Sequence, residues 1–146
     1  MTRVEQELEA LQVATRTNEA LSLVDFFEDD SDMYIVSRKP KQTLLEYFLK
    51  QNGEDNLWLE EAATATLLAP IVDTLVKLHR LGVVHGDLSL SKIAIRVSKN
   101  DRVNIQVHGF DQAHCIKPIK GQTSSVKVFN GSNAPECMSD DVYALG

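Results

Sequence analysis

Two charged side chains in one loop have the residue types and the spacing for chemistry on a hydroxyl or phosphate group. The loop contains Asp87 and, five positions later, Lys92, and it lies between the apolar segments 83–84 and 93–97. An aspartate here can accept a proton from a hydroxyl group, or it can simply hold the backbone turns of the loop. Lys92 can contact a phosphate as a point charge, but its ammonium group has no lone pair for a metal ion.

The composition indicates a globular chain with enough apolar residues for a core. Of its 146 residues 43% are hydrophobic, and the net charge is −6. A negative chain argues against nonspecific binding to nucleic acid, which requires a basic surface. Cys115 and Cys137 lack the spacing of a zinc site or a disulfide framework, and neither a signal peptide nor a membrane-length apolar run is present. We therefore expect a cytoplasmic protein with reduced thiols and no nucleic-acid or membrane partner.

The hydrophobic pattern predicts an α+β fold in which strands adjoining in sequence pair antiparallel. Thr43 can cap the second helix, and Gly82 ends the third. Pro70 lies inside the third helix, where a proline costs ~3 kcal/mol, and this predicts a kink or a later start. The acidic run 28–32 is predicted to be a solvated turn. Helices are expected over residues 4–14, 44–50 and about 57–81, and strands over 21–27, 33–36, 93–97 and 103–107.

The third predicted helix carries two adjacent apolar stripes. A face this wide predicts a helix that is mostly buried. After the last strand, from His108 to Glu136, no periodicity persists, and the composition is that of a loop. One stripe consists of Leu67, Ile71, Leu75 and Leu78, and the other of Leu68, Val72 and Val76.

Several segments, in their order along the chain, resemble the motifs of a eukaryotic protein kinase domain. The resemblance extends from the family's αC helix to the start of its αF helix. The matching segments are Leu23–Asp29 with Met33–Val36 (the hairpin before the hinge), Leu78–His85 (the approach to the catalytic loop), Gly109–Asp111 (Asp-Phe-Gly), Ala134–Glu136 (Ala-Pro-Glu) and Asp141–Gly146 (Asp-Val-Trp-Ser-Leu-Gly).

This resemblance implies a partial protein kinase-like fold of the α+β class. Residues 1–40 would supply part of the small lobe and the hinge, and residues 41–146 the part of the large lobe with the catalytic loop and activation segment. The family's Gly-rich loop and ATP-contacting lysine would precede residue 1. We therefore expect a fragment of a longer protein, a truncated gene model or a remnant.

The resemblance also gives the loop residues roles in phosphoryl transfer. Asp87 stands at the catalytic base, whereas Ser89 replaces a lysine that steadies the γ-phosphate. Lys92 replaces a metal-binding asparagine, and Gly109 replaces the aspartate that binds the bridging magnesium. Asp111 is the remaining candidate metal ligand, although a carboxylate two residues away is expected to point elsewhere unless the loop changes register.

Nucleotide binding and structural support fall on other positions. The resemblance places the gatekeeper and hinge, which would contact ATP, at Ser37, Arg38 and Lys39. Structural motif roles are implied for Glu7 (the αC glutamate), His85 (packing beneath the loop), Phe110, Glu136 (anchor of the activation segment) and Asp141 (acceptor of backbone N–H bonds from the loop).

Four functions remain open. The leading interpretation is a serine/threonine pseudokinase, which has lost most catalysis and binds nucleotide or a protein partner. An active serine/threonine kinase in full-length form, with a rearranged metal site at Asp111, would use ATP and magnesium on a protein substrate. A small-molecule kinase of the aminoglycoside or choline type also carries His-Gly-Asp, but it lacks the Ala-Pro-Glu segment. The fourth function is an interaction module without nucleotide.

Overall fold

Local sequence signals define an α+β architecture, as predicted. The computed structural model describes residues 2–52, 61–116 and 136–145. Short 3-10 turns cover Leu90–Lys92 and Phe110–Gln112. The helices are α1 (Arg3–Ala14), α2 (Leu44–Asn52), α3 (Glu61–Arg80) and α4 (Glu136–Tyr143); the strands are β1 (Leu23–Glu28), β2 (Met33–Ser37), β3 (Val83–Val84), β4 (Ile93–Val97), β5 (Val103–Val107) and β6 (His114–Cys115).

Reciprocal caps fix the beginnings of the first two helices. Thr2 accepts the backbone N–H of Glu5 at 3.3 Å, and the Glu5 carboxylate accepts the N–H of Thr2 at 2.6 Å. Thr43 and Glu46 make the same exchange at 3.1 and 2.9 Å, so the predicted cap at Thr43 is confirmed. Each exchange satisfies two backbone donors that a helix start would otherwise leave unpaired.

Within the described ranges, the strands form three antiparallel pairs, β1–β2, β3–β6 and β4–β5. The antiparallel pairing predicted for adjoining strands is therefore confirmed in the two hairpins. The β3–β6 pair was not predicted, because strands of two residues are too short to show alternation. The acidic run is a hairpin turn, in which Asp29 accepts the N–H groups of Ser31 and Asp32 at 2.9 and 2.8 Å.

The first strand begins later than predicted. Residue 21 was expected to open it, but β1 starts at Leu23. Ala20 instead forms a parallel bridge with Val107, and the Leu21 N–H donates to the Val107 carbonyl at 3.0 Å. The first apolar residues of this segment therefore pair with β5 rather than with β2.

The two stripes of α3 differ in environment. Leu67, Ile71 and Leu75 are buried in the core, as is Leu78. The second stripe is exposed, with Leu68, Val72 and Val76 at 37%, 45% and 40%, so the prediction that α3 is mostly buried is wrong for that stripe. The reason is that α3 packs on β3 and β5 along one side.

The structure tests the predicted C-terminal end of α3 but not its predicted N-terminal end. The helix ends at Arg80, and Gly82 follows at φ +76°, which agrees with the predicted stop. Pro70 lies inside the helix. The predicted helical residues 57–60 and the predicted loop residues 117–135 lie outside the described ranges. No helix in the described part of the chain has both the length and the apolar character to cross a membrane.

One core joins the elements that hold the loop containing Asp87. Ala10, Leu11 and Ala14 place one face of α1 in this core, together with the buried stripe of α3. Phe110 is 1% exposed and lies in the same cluster. Packing of α1 against the 3-10 turn at Phe110 brings the N-terminal helix beside the loop.

Candidate functional site

A buried carboxylate on α4 holds the start of the loop. Asp141 is 1% exposed. It accepts the backbone N–H of His85 at 2.9 Å and that of Gly86 at 2.8 Å, so the hydrogen bonds predicted from the loop are present. His79, at the end of α3, adds a third contact, with its Nε2 2.9 Å from Oδ2 of Asp141. These bonds connect the loop to two helices.

The charge of Asp141 is stabilised despite its burial. Burial alone would raise the pKa of this carboxyl group, but hydrogen bonds from His79 and from the His85 and Gly86 N–H groups outweigh it. The pKa therefore lies below its ordinary value, and Asp141 remains an anion at neutral pH.

The His85 ring lies beneath the loop in a defined tautomer. Its Nδ1 accepts the N–H of Asp87 at 3.3 Å, and its Nε2 lies 3.0 Å from the carbonyl oxygen of His108. A ring that accepts at Nδ1 carries its proton on Nε2, which donates to that carbonyl. The His85 and Phe110 rings pack with their centroids 5.1 Å apart.

Acidification should destabilise this arrangement. Burial lowers the pKa of His85, and also that of His108, below the ordinary value of 6.5. The unfolded state therefore binds more protons than the folded state below about pH 6.5, and stability should fall as the pH drops from about 7 to about 5. Protonation at Nδ1 would also break the bond from the Asp87 N–H.

Denaturant titrations across that range measure the effect. The decline should be shallower in His85→Asn than in the wild type. The lowered pKa of Asp141 does not interfere, because its contribution is lost only below the ordinary carboxyl value of 3.8. Stability that stays constant or rises on acidification would contradict the prediction.

Lys92 forms the centre of the site. Its ammonium group lies 2.5 Å from Oδ2 of Asp87 and 2.9 Å from Oδ1 of Asp111. The lysine therefore bridges the predicted catalytic base and the candidate metal ligand. The expectation that Asp111 points elsewhere is wrong, because the 3-10 turn after Gly109 directs its carboxylate back toward the loop.

Gly109 leaves room for the lysine stem. A Cβ atom built on Gly109 would lie 3.1 Å from Cδ of Lys92 and 3.3 Å from both Cγ and Cε. The glycine also has φ +73°, a left-handed conformation that side chains rarely adopt. Lys92 and Gly109 are thus sterically matched, since the lysine occupies space that a side chain at 109 would need.

Electrostatics favour the charged forms of Lys92 and Asp111. Burial lowers the pKa of Lys92, but hydrogen bonds to Asp87 and Asp111 outweigh it and raise the pKa above its ordinary value. The hydrogen bond from Lys92 is the main reason that the pKa of Asp111 is lowered. A cation between two carboxylates neutralises repulsion that would otherwise force them apart.

Two side chains of α1 lie close to this bridge. Arg3 donates from Nε to the carbonyl oxygen of Asp111 at 3.1 Å. Burial and the negative charge of Asp111 raise the pKa of Glu7, whereas Lys92 and Arg3 act in the opposite direction. The pKa of Glu7, predicted as the αC glutamate, therefore depends on the charges of the site.

The remaining predicted positions are Ser37, Arg38, Lys39 and Ser89. Ser37 ends β2, and the Arg38 N–H that follows donates to the Ser22 carbonyl at 3.0 Å. Lys39 is exposed. The Ser89 hydroxyl lies 2.9 Å from that of Ser91. Because a hydroxyl is neutral, Ser89 supplies no charge to the loop.

Some features of the site fall beyond what the sequence indicated. Glu136 is the first residue of α4, but its side chain lies outside the described part. The contact of His79 with Asp141 was missed, because it joins residues 62 positions apart and no local pattern signals it. In the described ranges no three His, Cys, Asp or Glu side chains are grouped as a metal site.

Comparison with known proteins adds the relatives of the chain. No protein-family model matches it. It is 24% identical over 151 residues to the Probable serine/threonine-protein kinase zyg-1 of Caenorhabditis elegans, an alignment covering 99% of the chain and 20% of that relative. It is 29% identical over 130 residues to 3-phosphoinositide-dependent protein kinase 1 of Homo sapiens, covering 82% of the chain and 22% of that relative.

A third relative extends the comparison. Serine/threonine-protein kinase PLK4 of Aedes aegypti is 26% identical over 151 residues, which cover 99% of the chain and 19% of the relative. The chain thus spans about a fifth of the length of these relatives. They are serine/threonine protein kinases, and together with the α+β architecture they support a partial protein kinase-like domain.

Proposed function

We propose that this protein kinase-like domain is a pseudokinase of the serine/threonine type, which has lost most phosphoryl transfer and acts by binding a nucleotide or a protein partner. In the proposal, residues 1–40 belong to the small lobe and hinge, and residues 41–146 to the large lobe. ATP, where bound, would contact Ser37, Arg38 and Lys39.

The position of the Lys92 ammonium group carries this proposal. Phosphoryl transfer in protein kinases depends on magnesium held by the catalytic-loop asparagine and the Asp-Phe-Gly aspartate. In this chain those positions are Lys92 and Gly109, and the lysine is bonded to both remaining carboxylates. A protonated lysine repels a divalent cation and cannot act as its ligand.

The same contact would weaken Asp87 as a base. A carboxylate held 2.5 Å from an ammonium group must break a charge-assisted hydrogen bond before it can accept a proton from a substrate. The backbone N–H of Asp87 donates to Nδ1 of His85, a bond that does not depend on the carboxylate. The two contacts of Lys92 favour an impaired catalytic centre over an active one.

Restoring the two altered positions together tests the proposal. In the native protein, Lys92→Asn with Gly109→Asp should make nucleotide binding depend on magnesium and raise magnesium-dependent affinity roughly tenfold or more, which corresponds to about 1.4 kcal/mol. The measurement is titration of a fluorescent ATP analogue with magnesium or with EDTA. Gly109→Asp alone should raise the magnesium-dependent affinity less than the pair does, because its Cβ would crowd the lysine stem.

A matched control exists on α3. Lys77 also bridges two carboxylates, at 2.9 Å to Glu19 and 2.8 Å to Asp73. Lys77→Asn should therefore leave the magnesium response unchanged. If the restored pair binds no more magnesium nucleotide than the Lys77 variant does, the proposed nucleotide cleft is wrong.

One observation favours a second candidate, an active serine/threonine kinase with a rearranged metal site. The carboxylates of Asp87 and Asp111 bind the same ammonium group, so both face the position that a metal would take if Lys92 moved away. In that case the wild-type protein would be stabilised by magnesium with ATP, and Asp111→Asn would abolish the stabilisation. The pseudokinase proposal expects no magnesium-dependent stabilisation in the wild type.

A further inference from the structure

A pocket lies beside the segment that follows β2. Its volume is about 110 Å³. One wall is the segment 38–41, and the other is formed by the β4–β5 hairpin. The lining residues are Leu21, Arg38, Lys39, Pro40, Lys41, Ala94, Ile95, Arg96, Asn104 and Gln106.

The pocket is strongly basic in an acidic chain. Arg38, Lys39, Lys41 and Arg96 all line it, and all are exposed. The chain as a whole has a net charge of −6. Among the described residues, ion pairs occupy other cations, and none of these four has an acidic partner. Four unpaired positive charges around one concavity attract an anion.

Main-chain hydrogen bonds fix both walls. The Arg38 N–H donates to the Ser22 carbonyl at 3.0 Å, and the Ile95 N–H donates to the Gln42 carbonyl at 3.0 Å. Gln106 donates from its side-chain amide to the carbonyl of Asn18 at 3.1 Å. A ligand would therefore meet walls that are already positioned, which lowers the entropic cost of binding.

We infer that this pocket binds a phosphorylated serine or threonine side chain of a protein partner. A phosphate monoester carries a charge of about −1.5 to −2 at pH 7 and three acceptor oxygens, which suits several cations better than a single carboxylate does. Arg38 and Arg96 supply planar guanidinium groups that can bind phosphate oxygens in a bidentate manner. Arg38 and Lys39 are also the proposed ATP contacts, so competition with ATP is one arm of the experiment.

The test uses the native protein and a fluorescent peptide library with a fixed central phosphoserine. Binding is followed by anisotropy, beside matched libraries that carry serine or glutamate at that position. The phosphoserine library should bind at least about tenfold more tightly than either of the others. Arg38→Gln with Arg96→Gln should remove most of that difference. Arg38→Lys with Arg96→Lys should retain part of it, because lysine keeps the charge but loses the guanidinium geometry.

Arg80→Gln is the matched control, because Arg80 is an exposed arginine at the end of α3 that does not line the pocket. It should leave peptide binding unchanged, and thermal unfolding should confirm that each variant is folded. Three results would overturn the inference: equal affinity for phosphoserine and glutamate libraries, equal loss with Arg80→Gln, or displacement of the peptide by ATP without magnesium. The last would assign the pocket to the nucleotide.

Discussion

Replacing Asp141 by alanine should lower the free energy of unfolding by roughly 3–5 kcal/mol, the cost of breaking a buried charged network. The substitution leaves the buried N–H of His85 and the part-buried N–H of Gly86 without their acceptor, and it removes the partner of His79. Each unsatisfied buried donor costs about 1–3 kcal/mol. Urea denaturation of the native protein, followed by circular dichroism, measures the change.

The neighbouring residue provides the control for this prediction. Asp140 is exposed, so Asp140→Ala should change the free energy of unfolding by no more than about 0.5 kcal/mol. Asp141→Asn should lie between the two, because an amide oxygen can still accept one of the N–H bonds. An Asp141→Ala variant as stable as Asp140→Ala would show that the loop does not depend on this carboxylate.

Gly86→Ala should destabilise the protein by roughly 2–4 kcal/mol, because it combines two separate costs. Gly86 has φ +81°, where a Cβ is unfavourable. The new Cβ would also lie 2.6 Å from the carbonyl oxygen of Gln112. That oxygen belongs to the backbone of the 3-10 turn, so it cannot move aside as a flexible side chain would.

Gly109→Ala separates these two costs. Gly109 has a similar φ of +73°, but its Cβ would approach the flexible stem of Lys92 at 3.1 Å. We therefore expect Gly109→Ala to lower the free energy of unfolding by about 1–2 kcal/mol, mainly the cost of the left-handed backbone conformation. Equal losses of stability in the two alanine variants would show that the Gln112 contact contributes nothing.

This packing explains why the loop differs from the kinase pattern at residue 86. Protein kinases carry an arginine there, in the sequence His-Arg-Asp. With the present path of the turn at Gln112, no side chain at position 86 fits without a shift of backbone. The glycine at position 86 and the path of the turn at Gln112 therefore depend on each other.

The sequence predicted elements whose determinants are local. Alternation identified β5, and Thr43 as a capping residue identified the start of α2. Prediction from the sequence failed where the pairing partner of a segment lies far along the chain. Residue 21 was predicted to open a strand, and only the position of Val107 decides that it pairs with β5.

In the candidate site, too, the sequence indicates residue types but not the contacts between distant residues. The residue types at positions 92 and 109 predict altered metal binding, which Lys92→Asn with Gly109→Asp tests. The bridge from Lys92 to Asp111 was not predictable from them, because it depends on the left-handed φ of Gly109 and on the turn that follows. A motif gives the identity of the groups, whereas the direction of a side chain after a glycine depends on backbone angles that the motif does not encode.

The Lys92 bridge makes the cation between Asp87 and Asp111 a covalent part of the polypeptide. A diffusible ion occupies its site according to its concentration and can be removed by a chelator, whereas a tethered ammonium group has a fixed effective concentration. Neutralisation at this position is therefore established when the chain folds and does not follow cellular magnesium. A reaction that removes the charge of the amine, such as acylation, would leave the two carboxylates uncompensated.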